Sequence, residues 1–277
     1  YGDTYTQGAY YLCSAADSVV VNPQGMLDWH GMSMQTMFFK EILDKLGVNV
    51  QVFKVGTYKS AVEPFIGTEM SDANREQMEV FTSEIWKEML VDVSESRKIS
   101  VEELNQLADT VTLLCETSFY LDEKLVDKVA YSDEIPQMIC NMIDVDDEDD
   151  YNTITVDEMA SVASNKPKDD SGNIVAVYYA YGDIVNTPSS GISSEEIASS
   201  VVIRDLEKLA DDDDVKAVVL RVNSGGGSAY ASEQIWHQVM NIKSKKPIVV
   251  SMGGMAASGG YYISCAADYI FAEPTTL

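Results

Sequence analysis

The sequence predicts an α/β protein built from a tandem duplicated domain, and three observations predict it. Apolar β-branched runs alternate with segments of helical spacing along the second half of the chain. Those runs are joined through helices and small-residue loops, not two-residue hairpin turns, which implies parallel pairing. Residues 7–23 (Gln-Gly-Ala-Tyr-Tyr-Leu-Cys-Ser-Ala-Ala-Asp-Ser-Val-Val-Val-Asn-Pro) also return as residues 258–274 (Ser-Gly-Gly-Tyr-Tyr-Ile-Ser-Cys-Ala-Ala-Asp-Tyr-Ile-Phe-Ala-Glu-Pro), at a constant offset of 251. Gly, Tyr, Tyr, Ala, Ala, Asp and Pro coincide, and the period is too long for a solenoid. The expected organisation is the later half of a first copy over 1–150, an acidic and polar linker over 151–172, and the earlier half of a second copy over 173–277. Both ends read as cuts within a longer chain.

In the first copy, Gln35 to Leu46 carries helical spacing (Met37, Phe38, Ile42, Leu43, Leu46) and closes at Gly47, a C′ residue. Val48 to Val55 alternates and is β-branched, which predicts a strand. Ser71-Asp-Ala-Asn-Arg-Glu opens a long amphipathic helix to Arg97, with Met78, Phe81, Ile85, Met89 and Val93 on one face. Shorter helices are expected at Val101–Ala108 and Phe119–Asp127.

In the second copy, Asn173 to Ala180 predicts a buried strand, Ser193-Ser-Glu-Glu a helix to Ala210, and Val215 to Val222 a strand. That strand leads into Asn223-Ser-Gly-Gly-Gly-Ser228. A helix from Ser232 to Ser244 follows, then the strand Ile248–Val250, small residues, and a helix over Tyr261–Ala267. Ligands of parallel sheets bind beyond the carboxyl ends of the strands. Gly225–Gly227 and Ser258 both fall there.

A net charge of −26 argues against nucleic acid as a partner and against electrostatic adsorption to anionic lipid. Much of it sits in solvated runs, Asp144–Asp150 and Asp211–Asp214, which lack the ligand spacing of a calcium loop. No metal and no cofactor are expected. Cys13, Cys115, Cys140 and Cys265 form no CxxC pair and read as small packing residues. No apolar run reaches the roughly 18 residues that a bilayer span needs.

Ser258, before Gly259-Gly260 at a strand-to-helix turn, has two readings. It is an N-cap, or a nucleophile on a tight turn. The repeat bears on the choice, because its counterpart is Gln7, a poor cap; a duplicated fold that kept a nucleophile in one copy accounts for the difference. A serine nucleophile needs a base. His30 and His237 lie on segments with no sequence logic bringing them to Ser258, and surface or packing roles suit them. A lysine serves as base when burial and neighbours leave it neutral. Lys59, among Gly56, Thr57, Tyr58, Ser60, Ala61, Val62 and Phe65, is the candidate, with nearby Glu63 as a complication. Gly225–Gly227 is either a plain turn or a source of oxyanion N–H donors, and no Gly-Lys-Ser/Thr follows it to make a phosphate loop.

Three ordered motifs, Val55-Gly-Thr-Tyr-Lys-Ser-Ala-Val-Glu-Pro-Phe65, Arg221-Val-Asn-Ser-Gly-Gly-Gly-Ser228 and Ser251-Met-Gly-Gly-Met-Ala-Ala-Ser-Gly-Gly-Tyr261, closely resemble the signal peptide peptidase A (protease IV) family, peptidase family S49, in its long tandem bacterial form. The resemblance is weakest over 97–172. It implies a ClpP/crotonase-like fold and a Ser/Lys dyad, with Ser258 as nucleophile, Lys59 as general base and Gly226 and Gly259 as oxyanion donors. It also implies peptide substrates (cleaved signal peptides), and a ring-like homo-oligomer, a tetramer. An N-terminal anchor outside this chain would hold it at the bacterial inner membrane, with the peptidase portion on the periplasmic side. One departure stands out: Gly225 replaces the family's proline in Ser-Pro-Gly-Gly, which should loosen the donors and bears on turnover rate more than on reaction type. Two other readings remain open, a crotonase-type acyl-CoA enzyme on the same fold and a catalytically impaired peptide-binding scaffold.

Overall fold

The computed structural model describes residues 1–147, 152–162, 172–189 and 195–277, and the chain divides into two units, Tyr1–Ala163 and Ser164–Leu277.

In the first unit, β1 (Gly2–Tyr5) leads through α1 (Gln7–Cys13) to β2 (Val20–Leu27), which pairs parallel with β1. The short strand β3 (Lys128–Val129) adds to the other edge of β2, also parallel. Between β2 and β3 the chain makes α2 (Lys40–Lys45), α3 (Glu63–Ile66), α4 (Asp72–Arg97), α5 (Val101–Leu107) and α6 (Thr117–Asp122). The core lies where α1, α4, α5 and α6 meet the strands. Trp29 is fully buried there, donating its indole N–H to the Leu104 carbonyl at 2.8 Å, and Tyr10 donates its hydroxyl to the Leu125 carbonyl at 2.8 Å. Buried aromatic rings thus keep their polar atoms satisfied. Past β3 lie α7 (Ile135–Ile143) and α8 (Val156–Ser161).

α4 begins as its sequence predicts: the Ser71 hydroxyl accepts from the Asn74 N–H, and Leu90 and Val93 are buried. α5 carries a full capping box between Ser100 and Glu103. The helix expected over Gln35–Leu46 is cut back to α2, because Met37, Ile42 and Leu46 find nothing to bury against and stay exposed. Its end is nevertheless the expected one. Gly47 has φ +72°, and Val48 N–H reaches back to the Leu43 carbonyl at 2.9 Å. The strand expected over Val48–Val55 does not form. Phe53 is 94% and Val55 92% exposed, and no described strand pairs with this segment. β propensity is realised through cross-strand pairs and a half-buried face, and neither is present here. The helix expected over Phe119–Asp127 is α6, shifted towards the N-terminus, since Lys124 at φ +59° turns the chain into β3. Of the linker expected over 151–172, residues 151 and 163–171 lie outside the described residues; α8 stands in the part between.

The second unit is a parallel sheet in the order β4 (Ile174–Tyr181), β7 (Val215–Ser224), β8 (Ile248–Ala256), β9 (Tyr269–Phe271), with a two-stranded parallel pair of β5 (Asp183–Val185) and β6 (Glu196–Ala198) beside it. The helices are α9 (Ser199–Asp211), α10 (Ala229–Lys243) and α11 (Gly259–Ser264). Val218, Leu220 and Val222 of β7 and Ile248 and Val250 of β8 are buried against Val202, Leu206, Ile235, Val239 and Ile263 of the helices. β4 is not the buried strand expected over Asn173–Ala180. It is an edge strand covered on one face only, so Val175, Val177 and Tyr179 are exposed while Ala180 is buried. The helix expected from Ser193 begins at Ser199, after β6; residues 193 and 194 lie outside the described residues. The helix expected from Ser232 starts a turn earlier, capped by Ser228, whose hydroxyl accepts from the Ala231 N–H. Among the described residues no helix is long and apolar enough to cross a membrane.

Candidate active site

The strand β8 ends at Ala256, and after two intervening residues the chain enters α11 at Gly259. Ser258 makes that turn with φ +50° and ψ −115°, a backbone conformation that side-chain-bearing residues rarely adopt. Its side chain is exposed, and its hydroxyl caps no helix N–H. The capping reading therefore loses its physical basis. In the first unit the equivalent turn is relaxed: Thr6 at φ −68° caps α1 by accepting from the Ala9 N–H. Gln7, the counterpart of Ser258, is buried, accepting from the His30 and Gly31 N–H groups through Oε1.

The glycine loop after β7 is bound against this turn. Ala257 N–H donates to the Ser224 carbonyl at 3.0 Å, and Met255 N–H to Asn223 Oδ1 at 3.0 Å. Ser224, buried, donates its hydroxyl to the Gly182 carbonyl at 2.6 Å and accepts from the Gly226 N–H at 3.0 Å. On the far side the Gly226 carbonyl accepts from the Ile184 N–H at 2.9 Å. The loop is thus sewn to β5 and to the end of β8. Gly226 has φ +101°, and a Cβ there would stand 2.5 Å from the Gly259 nitrogen and 2.9 Å from Ser258 Cβ. Among the described residues the Gly259 N–H, first in α11, has no carbonyl partner.

Ser258, Gly226 and Gly259 are therefore brought together in one unit. Lys59 belongs to the other. It lies in the segment before α3, with its side chain exposed and without a hydrogen bond or ion pair among the described residues. His237 is exposed on α10, and the Ser258 hydroxyl makes no hydrogen bond to it. His30 is 3.3 Å from Asp28 in the first unit, with most of its side chain in solvent. The part of Ser224 in holding Gly226 was not foreseen in the sequence; its only trace there is a serine directly before a glycine triplet.

The class these features define is an α/β protein with a parallel sheet and a strained serine where β8 meets α11. The sequence profile of Peptidase family S49 matches residues 1–145 and 241–277, and the chain belongs to that family. Protease 4 of Haemophilus influenzae is 39% identical over 286 residues, covering all of this chain and 46% of that protein. Protease 4 of Salmonella typhi is 42% identical over 287 residues, covering all of this chain and 45% of that protein. The chloroplastic serine protease SPPA of Arabidopsis thaliana is 28% identical over 280 residues, or 97% of this chain and 40% of that one. The chain thus spans less than half the length of these relatives. A solved ClpP1 mutant from Listeria monocytogenes is 24% identical and covers 36% of this chain and 52% of its own, at a TM-score of 0.28, too low to bear on the fold.

Proposed function

We propose that this chain carries the catalytic residues of a serine endopeptidase with a Ser/Lys dyad. The observation that carries the proposal is the Ser258 turn: a non-glycine residue at φ +50°, uncapped and exposed, at the mouth of a glycine-lined loop. Strain of this kind costs about 1–3 kcal/mol and persists where surrounding structure imposes it. A structural serine has no use for it, and neither has a crotonase-type acyl-CoA enzyme, which would not employ Ser258.

In this reading Lys59 takes the proton from Ser258 Oγ as that oxygen attacks the peptide carbonyl. The tetrahedral oxyanion is held by N–H groups of Gly226 and Gly259. The proton passes to the leaving amine, an acyl-serine remains, and water releases it by the same route in reverse. The Gly226 N–H is held by Ser224 Oγ in the resting chain, so its part requires that bond to be shared or exchanged. A lysine acts as base only where its ammonium is desolvated, and Lys59 is exposed in its own unit. The covering must come with the complete protein or with substrate. The matching stretches at 7–23 and 258–274 both run from helix to strand, α1 to β2 and α11 to β9, which supports a tandem duplication, and a ClpP/crotonase-like fold belongs to the same proposal. The names of the relatives favour peptide substrates. Cleaved signal peptides at the inner membrane, and a ring-like homo-oligomer, complete the proposal.

A fluorophosphonate probe tests it in the complete protein. The adduct should map to the peptide containing Ser258 and vanish in Ser258→Ala. A protein that hydrolyses peptide while its Ser258 stays unlabelled would contradict the assignment.

A further inference from the structure

Glu63 is the acidic residue nearest Lys59 in sequence, and an ammonium paired with a carboxylate holds its proton. The carboxylate is spent elsewhere. Glu63 is only 6% exposed, and three donors from the start of α4 satisfy it: the Ser71 hydroxyl at 2.6 Å on Oε1, and the Ser71 N–H at 3.2 Å and the Asn74 amide at 3.0 Å on Oε2. A buried carboxylate needs such partners, and a helix N-terminus is a favourable place for its charge. These bonds tie α3 to α4, which is itself anchored in the core by Leu90 and Val93.

The tie extends back to Lys59. The Glu63 N–H donates to the Ser60 carbonyl at 2.9 Å, and the Ser60 N–H to the Tyr58 carbonyl at 3.1 Å. Tyr58 is itself clamped to α4: its hydroxyl donates to Glu76 Oε2 at 3.1 Å, and its carbonyl accepts from the Gln77 amide at 3.0 Å. Both neighbours of Lys59 are thus fixed, while its own side chain is left unbonded.

We propose that Glu63 is a positioning residue for the base: it anchors the Lys59 segment on the first turn of α4 and, being bonded there, leaves the Lys59 ammonium without a counter-ion. This rests on Lys59 being the base, and the test separates the two. In the complete protein, Glu63→Ala, Glu63→Gln and Lys59→Ala are compared by peptide-hydrolysis kinetics across pH and by hydrogen exchange. Glu63→Ala should lower kcat by about 10- to 100-fold with KM little changed, the cost of a displaced catalytic group. Glu63→Gln, which keeps an acceptor for α4, should recover most of kcat with the acid limb of the pH profile unmoved. Exchange at the Ser60, Glu63 and Gly67 amides should rise in Glu63→Ala while Leu90 and Val93 stay protected.

Wild-type kcat in Glu63→Ala overturns the inference. So does a Glu63→Gln variant that shifts the acid limb, because the carboxylate would then act as a charge on the base. Unchanged exchange at Ser60 and Gly67 overturns it even in a variant without activity. If Lys59→Ala keeps activity, the base assignment fails instead, and the anchoring stands or falls on the exchange data alone.

Discussion

Gly226 and Gly259 approach each other more closely than a side chain on Gly226 would allow. A Cβ on Gly226 would lie 2.5 Å from the Gly259 nitrogen, and one on Gly259 would lie 3.1 Å from Gly226 Cα. This approach brings the loop after β7 onto the turn that presents Ser258, so one backbone-to-backbone contact sets the donors and the nucleophile of the proposed mechanism.

The loop should therefore respond unequally to added methyl groups. Gly226→Ala meets backbone and a positive φ, and should lower kcat by about 100-fold or more, the range seen when an oxyanion donor is lost. Gly225→Ala meets only the Met255 sulfur, at 3.2 Å and at the end of a flexible side chain, and its φ is not in the left-handed region. It should leave kcat within about threefold and raise stability by about 0.4–1 kcal/mol through the unfolded chain. Equal loss in both variants would show that the close approach is not what matters.

The strain at Ser258 should be measurable as stability. Ser258→Gly and Ser258→Ala both remove the hydroxyl, but only glycine relaxes a φ of +50°. The glycine variant should melt higher than the alanine variant, by the equivalent of about 1 kcal/mol. Both should be inactive. Identical melting curves would mean that the turn is unstrained.

Glu63 should make the start of α4 sensitive to acid. Hydrogen bonds from the Ser71 hydroxyl, then from the Ser71 N–H and Asn74, aided by the charge of Lys54, outweigh burial and hold its carboxyl below the usual range. A carboxyl with a depressed folded pKa contributes its full stability above the unfolded value, about 4.3 for glutamate. That contribution is lost as pH falls through the folded value. The difference in melting temperature between wild type and Glu63→Gln should accordingly shrink below about pH 4. A difference that stays constant from pH 7 to pH 3 would contradict the role given to the carboxylate.

Where the sequence was legible, local chemistry and tertiary packing agreed. Ser71 with Asn74, Gly47 after α2, and the β-branched runs of β7 and β8 each announce the element they form. The serine before a glycine pair announced the turn, though not its strain, because φ depends on how β7 and β8 hold the chain. Val48–Val55 carries a strand's alternation without a partner strand, and periodicity cannot report that lack. Glu63 could be read only as a neighbour of Lys59. Which way its carboxylate turns depends on α4 arriving beside it, a relationship that sequence spacing does not encode.

The central claim is that Ser258 and Lys59 act as one dyad, and peptide hydrolysis tests it most directly. An apolar fluorogenic peptide is offered to the complete protein as wild type, Ser258→Ala and Lys59→Ala, with folding checked by circular dichroism. The account predicts that each substitution abolishes turnover while the fold is kept. Wild-type turnover in either folded variant would remove that residue from the mechanism and leave the dyad without support.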